Sequence, residues 1–119
     1  MVSTSNLFSV SGKNVLITGG SRGIGLMIAS GFVRFGANVL LTSRDEKVCK
    51  EAAASLRADK GSGSIHYVAS NVSSRKGCKD LAKYAGDLFQ GRLDVLVNNA
   101  GTSWGEDLER ESGRSNWGW

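Results

Sequence analysis

The chain has 119 residues, 40% of them hydrophobic and 22% charged, which is the composition of one small globular domain with a modest core. Its net charge is +4, and the excess lies in residues 1–60, where eight Lys or Arg face four Asp or Glu, so an anionic ligand is favoured. Basic residues do not cluster among aromatic ones, and neither a membrane-length apolar run nor a secretory signal occurs, so we expect a cytoplasmic protein that binds neither nucleic acid nor membrane.

The first predicted elements are a strand and a helix joined by glycines. Val15 to Ile17 form an apolar run typical of a strand buried on both faces. A helix is predicted from about Gly23 to Phe35, followed by Gly36 as its stop. Its apolar positions at helical spacing are expected to form the core face: Ile24, Met27, Ile28, Phe32 and Phe35.

The pattern then alternates regularly along the chain. A second strand, residues 39–41, precedes a helix opened by Asp45 and Glu46, because acidic residues favour a helix N-terminus. A third strand over 65–69 is followed by a helix capped by Ser73 or Ser74, and a fourth strand is predicted over 93–97. We therefore expect a doubly wound parallel α/β sheet of the Rossmann type, in the order 3-2-1-4.

The glycines between the first strand and helix have separate roles. Gly19 permits the tight turn off the strand, Gly23 allows backbone to approach a diphosphate, and Gly25 lets helix and strand pack closely. The helix N-terminus would present unpaired N–H groups and a partial positive charge to that diphosphate. A strand, this turn and a helix in this order predict a dinucleotide site, although an ordinary strand-to-helix turn is the alternative.

Two motifs resemble those of the short-chain dehydrogenase/reductases. They are Thr18-Gly19-Gly20-Ser21-Arg22-Gly23-Ile24-Gly25 and, about eighty residues later, Asn98-Asn99-Ala100-Gly101. The residues of these motifs are most similar to those of the 3-oxoacyl-[acyl-carrier-protein] reductase-like branch, which includes ketoreductases of rhamnolipid synthesis. The likeness covers only the N-terminal half of that family. It implies a sheet truncated after the fourth strand, a single half-domain over residues 1–119, and an irregular or partly helical tail over 102–119.

The resemblance also implies the cofactor. Where NAD-preferring members place an acid after the second strand, this chain has Ser43 and then Arg44. An arginine can bind a 2′-phosphate that a carboxylate would repel, and Arg22 matches the family's second basic residue, so NADP is expected rather than NAD. The family aspartate beside adenine is replaced by Asn71, which can still accept a hydrogen bond, although a simple turn-forming role is the alternative.

The complete set of expected cofactor-binding residues follows from these motifs: Gly19, Ser21, Arg22, Gly23, Ile24, Gly25, Ser43, Arg44, Asn71, Val72, Asn98, Ala100 and Gly101. Asn98 ties neighbouring strands in the family, and Ala100 and Gly101 lie near the nicotinamide-side ribose. No metal site is expected, because Cys49, Cys78 and His66 lack ligand spacing.

The catalytic residues of the family are not found. Its tyrosine is followed by a lysine four residues later, but Asn71 stands four after Tyr67 and Leu88 four after Tyr84. We therefore expect the NADP(H)-binding part of a reductase acting on a 3-oxoacyl-type carbonyl, inactive alone and prone to self-association. The alternative is a non-catalytic nucleotide-binding or interaction module. An epimerase of the extended branch is disfavoured, because that branch spaces its glycines differently.

Overall fold

The computed structural model describes residues 9–58 and 63–99, which form seven elements. Strands and helices alternate strictly, as the sequence predicts. In chain order they are β1 (Asn14–Thr18), α1 (Gly23–Arg34), β2 (Asn38–Ser43), α2 (Glu46–Ala58), β3 (Ser64–Ala69), α3 (Arg75–Leu88) and β4 (Val95–Asn98).

The four strands form one parallel sheet in the order β3-β2-β1-β4, which confirms the predicted topology. The central strand β1 pairs with β2 from Asn14 opposite Asn38 to Thr18 opposite Thr42. It pairs with β4 on its other side, where Thr18 lies opposite Asn98. Parallel strands need crossover connections, which the helices provide. All four carboxyl ends consequently lie along one edge of the sheet.

The helices cover both faces of the sheet, so the described strands have two apolar cores. Helices α1 and α2 pack on one face over Val15, Ile17 and Val39, all of which are fully buried. Helix α3 packs on the other face, over Leu16 and Leu40. Continuous apolar runs in β1 and β2 therefore reflect strands buried on both sides.

The predicted core face of α1 is wrong in part. Ile24, Met27 and Phe35 are 68%, 72% and 69% exposed. The residues of α1 that are buried are small: Gly25, Ala29 and Val33, which recur every four positions. The reason is the close approach of α1 to the glycine turn at Gly25, which rotates the small-residue stripe toward the sheet and the largest side chains away from it.

The start of β4 differs from the prediction, whereas the predicted serine cap of α3 is confirmed. Strand β4 begins at Val95 rather than Leu93, which is 44% exposed. The preceding Asp94 instead bonds to the start of β1, because its backbone N–H donates to the carbonyl of Asn14 and its carboxylate accepts from the Asn14 N–H. Of the two serines predicted to cap α3, Ser74 is the cap, its Oγ accepting from the N–H of Gly77 at 2.9 Å.

Other predictions fall outside the described part of the chain. They concern the tail over residues 102–119 and the positions Ala100 and Gly101. Within the described residues, no helix is both long and apolar enough to cross a membrane.

Candidate functional site: the carboxyl edge of the sheet

The segments that follow the four strands meet along one edge. They are the glycine loop after β1, Ser43 and Arg44 after β2, the turn from Ser70 after β3, and Asn98-Asn99 at the end of β4. In open α/β sheets, ligands bind outside the carboxyl ends of the strands, where the order of the strands reverses. Here that point lies between β1, whose crossover leads to β2, and β4 on its other side.

The glycine loop adopts backbone conformations that only glycine accepts readily. Gly19 and Gly23 have φ of +68° and +55°. A Cβ on Gly25 would overlap the carbonyl oxygen of Gly19 and lie 2.8 Å from Nδ2 of Asn99. A side chain at Gly23 would meet no atom within 4 Å, so this position faces open space. The loop therefore bends tightly against α1 while leaving an uncovered backbone surface.

The N-terminus of α1 faces this surface without a side-chain cap. Arg22 occupies the N-cap position with extended backbone, and its side chain makes no capping hydrogen bond. No acidic residue stands in the first turn. The first helical N–H groups have no partner within the helix, so this end can bind an anion. Ser21 is half-buried beside it, while Arg22, Gly23 and Ile24 are exposed.

Partly buried hydrogen bonds join the glycine loop to the second motif. Thr18, only 2% exposed, donates from Oγ1 to Oδ1 of Asn98 at 2.9 Å and accepts from the Asn99 N–H at 3.0 Å. Nδ2 of Asn99 then donates to the carbonyl of Gly19 at 3.4 Å. The two motifs, eighty residues apart in sequence, therefore form one structural unit across the β1–β4 pair.

A side-chain contact with helix α2 holds the end of β2. Ser43 is half-buried, and its Oγ lies 2.9 Å from Sγ of Cys49, which is fully buried in α2. Asp45 begins α2 by accepting from the N–H of Val48 at 3.2 Å. Between them Arg44 is exposed, and its Nη2 donates to Oγ of Ser73 at 3.0 Å. This arginine therefore extends across the edge toward β3.

The turn after β3 brings Asn71 and Val72 to the same edge. Asn71 is exposed, and its Oδ1 accepts from both the N–H and the hydroxyl of Ser73. Val72 is half-buried against the α3 core. The turn packs so closely on α3 that a Cβ on Gly77 would overlap the carbonyl oxygen of Asn71.

Sequence reasoning singled out neither Thr18 nor Ser73 as a site residue. Thr18 stands at the last position of a buried strand, where a hydroxyl is unusual, and that pattern could have indicated a structural hydrogen bond. The sequence pattern predicts only a helix cap at Ser73 or Ser74. Its contact with Arg44 spans 29 residues and has no local signal in the sequence.

The described residues fit a dinucleotide at this edge. The open backbone at Gly23, the uncapped N-terminus of α1 and the close packing at Gly25 together suit the approach of a diphosphate. Arg22 after β1 and Arg44 after the neighbouring strand β2 are both exposed and supply positive charge at this edge. No group of three or more His, Cys, Asp or Glu side chains suited to a metal occurs in the described part of the chain.

The amino ends of the strands hold a different feature. A cavity of about 290 Å³ is lined there by five polar and two apolar residues: Asn14, Asn38, Ser64, His66, Gln90, Leu88 and Phe89. Partial burial and the nearby Arg57 lower the pKa of His66. The N–H of Asn14 and then Arg92 lower the pKa of Asp94. This cavity lies at the opposite edge from the glycine loop, and hydrogen bonds link the side chains of Asn14, Asn38 and Ser64 in its lining.

Comparison with known proteins agrees with this geometry. The chain is 47% identical over 102 residues to a rhamnolipids biosynthesis 3-oxoacyl-[acyl-carrier-protein] reductase of Pseudomonas aeruginosa, covering 86% of this chain and 38% of the relative. The structure is similar to RhlG of Pseudomonas aeruginosa in an active-site complex with NADP (TM-score 0.73, 46% identity, 81% and 36% of the chains covered). It is also similar to an NADH-dependent reductase complexed with NAD (TM-score 0.69, 34% identity, 78% and 38% covered).

These matches concern a limited part of the relatives. The chain spans little more than a third of the length of the Pseudomonas reductase. Within this chain the match is nearly complete, because the family model for short chain dehydrogenase covers residues 13–117. The match includes the glycine loop, both arginines and the Asn98-Asn99 pair described above. The chain therefore belongs to the short-chain dehydrogenase family.

Proposed function

We propose that this chain forms the NADP(H)-binding part of an oxidoreductase that reduces a 3-oxoacyl-type carbonyl compound. The observation that carries the proposal is the exposed Arg44 at the end of β2, beside the uncapped glycine loop. Similar structures hold NADP or NAD, so the choice between them rests on this chain's own residues. The 3-oxoacyl substrate class is supported by the name of the Pseudomonas relative.

The two arginines distinguish the cofactors by charge. NADP differs from NAD by a phosphate on the adenosine ribose, and a guanidinium can bind it with paired, charge-assisted hydrogen bonds. Ser43, directly before Arg44, carries no charge. An acidic side chain at that position would repel the phosphate. Arg22, the N-cap residue of α1, adds a second positive charge. We expect each such contact to contribute about 1.5–3 kcal/mol.

The remaining cofactor contacts follow from the same edge. The backbone of Gly19 and Gly23 and the first turn of α1 would hold the diphosphate, while Asn71 and Val72 would border the adenine. When bound, the nicotinamide supplies the hydride. Asn98 keeps β4 in register with the loop through its bond to Thr18, and so holds the edge in shape for the cofactor.

Hydride transfer to a ketone also needs a group that protonates the developing alkoxide. Tyr67 packs against the apolar core, and Tyr84 lies on α3, 41% exposed. Neither tyrosine has a lysine four positions later. We propose that the chain lacks the family's serine, tyrosine and lysine and binds the cofactor without turning over a ketone. The second candidate function is a non-catalytic nucleotide-binding module. The lack of a lysine four positions after either tyrosine favours this candidate as well.

The proposal is tested by calorimetric titration of the purified chain with NADP⁺ and NAD⁺. We expect tighter binding of NADP⁺, and Arg44→Ala should remove about tenfold or more of that preference. Arg92→Ala is the matched control, because it removes the same charge at the opposite edge of the sheet. Equal affinity of the unsubstituted chain for both cofactors would refute the assignment.

A second assay separates the two candidate functions. The chain, freed of host reductases, is mixed with NADPH and a β-keto ester while the nicotinamide absorbance is followed. We expect no turnover by the chain alone, and activity on addition of a segment that carries Tyr-x-x-x-Lys. Turnover by the chain alone that Gly19→Trp abolishes would show that it has its own catalytic acid. Failure of such segments to restore activity would favour the non-catalytic module.

A further inference from the structure

Three side chains at the carboxyl edge form a directed chain of hydrogen bonds. Nη2 of Arg44 donates to Oγ of Ser73 at 3.0 Å, and the Ser73 hydroxyl donates in turn to Oδ1 of Asn71. The backbone N–H of Ser73 donates to the same oxygen at 3.1 Å. All three residues are exposed to solvent. The guanidinium of Arg44 is thereby connected to the turn that follows β3.

That turn is a firm support. The carbonyl of Asn71 accepts from both the N–H and the hydroxyl of Ser74, each at 3.3 Å. The hydroxyl of Ser74 also caps α3 by accepting from the N–H of Gly77. The absence of a side chain at Gly77 lets the turn lie directly on the helix. Ser73 therefore lies in a turn that is fixed by the hydrogen bonds of Asn71 and Ser74, whereas Arg44 is a long and exposed side chain.

We propose that Ser73 is a positioning residue that sets the preference for NADP by holding Arg44 in its phosphate-binding orientation. This inference rests on the proposed function, because it assumes that Arg44 binds the 2′-phosphate. A guanidinium has five N–H donors, so the bond to Ser73 leaves the others for a phosphate. Ordering a long side chain on binding has an entropic cost, and Ser73 reduces that cost before the ligand arrives.

The opposite role for Ser73 predicts an opposite result. If the Ser73 hydroxyl competed with the phosphate for Arg44, its removal would tighten NADP binding. If Ser73 only maintained the turn, its removal would weaken NADP and NAD alike, since both contain the adenosine beside Asn71. A positioning role alone predicts weaker NADP binding with unchanged NAD binding, and only while Arg44 is present.

The test measures NADP⁺ and NAD⁺ affinities of the full chain by calorimetry. Ser73→Ala should weaken NADP⁺ binding about threefold to tenfold, the usual effect of disordering one long side chain, and leave NAD⁺ affinity unchanged. Ser73→Thr, which keeps the hydroxyl, should bind NADP⁺ as tightly as the unsubstituted chain. Ser55→Ala is the matched control, an exposed serine on α2 away from the edge. In an Arg44→Ala background, Ser73→Ala should have no further effect.

The outcomes separate this inference from the proposed function. A chain that binds NADP⁺ and NAD⁺ equally overturns both. A chain that prefers NADP⁺, loses the preference in Arg44→Ala but keeps or increases it in Ser73→Ala overturns only the role of Ser73. Equal losses for both cofactors in Ser73→Ala, or additive losses with Arg44→Ala, also overturn that role.

Discussion

Replacement of Gly25 by alanine tests how closely α1 approaches the glycine loop. The new Cβ would overlap the carbonyl oxygen of Gly19 and lie 2.8 Å from Nδ2 of Asn99. Forcing a methyl group into a packed contact costs about 1–3 kcal/mol, while alanine in a helix gains about 0.5–1 kcal/mol over glycine. We therefore expect Gly25→Ala to lower the free energy of unfolding by about 1–2 kcal/mol, and to weaken NADP⁺ binding.

Gly31 of the same helix provides the matched control. A Cβ there would meet no atom within 4 Å, so only the helical preference for alanine remains. We expect Gly31→Ala to raise the free energy of unfolding by about 0.5–1 kcal/mol and to leave NADP⁺ affinity unchanged. Both values are measured by urea unfolding followed by circular dichroism. Shifts of the same sign in the two variants would refute the proposed close contact at Gly25.

Three further predictions concern the tie between motifs, pH and the edge of the sheet. Thr18→Val keeps the shape of a buried side chain but removes its hydrogen bonds with Asn98 and Asn99. At about 0.5–1.5 kcal/mol for each bond, urea unfolding should show a loss of about 1–3 kcal/mol; an unchanged stability would contradict this. His66 is the single histidine and its pKa is lowered below 6.5, so the unfolded chain takes up a proton first as the pH falls. Stability should therefore decrease below about pH 6.5, and His66→Asn should flatten that decrease; an identical pH profile in the variant would count against it. Strand β4 pairs within the described residues only with β1, and Leu96 is 43% exposed. Light scattering across a concentration series should detect self-association that Leu96→Lys reduces, whereas a monomer at every concentration would exclude it.

The elements and the glycine loop could be predicted from the sequence because their causes are local. An apolar run of the length of Val15 to Ile17, followed by Gly19, allows few structures other than a buried strand and a tight turn. Once the elements alternate, right-handed crossovers determine the parallel order. The expected cofactor residues from Gly19 to Asn98 consequently fall at one edge, because carboxyl ends of parallel strands coincide.

The face of α1 could not be predicted in the same way. Apolar periodicity places Ile24, Met27 and Phe35 toward the core, and the hydrophobic effect alone would agree. In the structure, Gly25, Ala29 and Val33 face the sheet instead. The short distance between the helix and the strands, rather than hydrophobicity, determines which side chains fit there. A helix that follows a loop as tight as this one lies close to the strands, where only small side chains fit. The hydrogen bond between Arg44 and Ser73 could not be predicted from the sequence either, because it depends on the register of β2 and β3.

Under the proposed function, the contacts at the carboxyl edge concern the cofactor and act apart from the choice of carbonyl substrate. Two hydrogen bonds at the carboxyl edge link the ends of different strands: Thr18 of β1 bonds to Asn98 of β4, and Arg44 after β2 bonds to Ser73 after β3. Adenine, ribose phosphate and diphosphate would all be bound by these segments. Under the proposed function, the proton donor for the substrate is a separate group that none of these contacts includes. We therefore expect changes at Arg44 or Ser73 to alter which cofactor binds without determining which carbonyl compound is reduced.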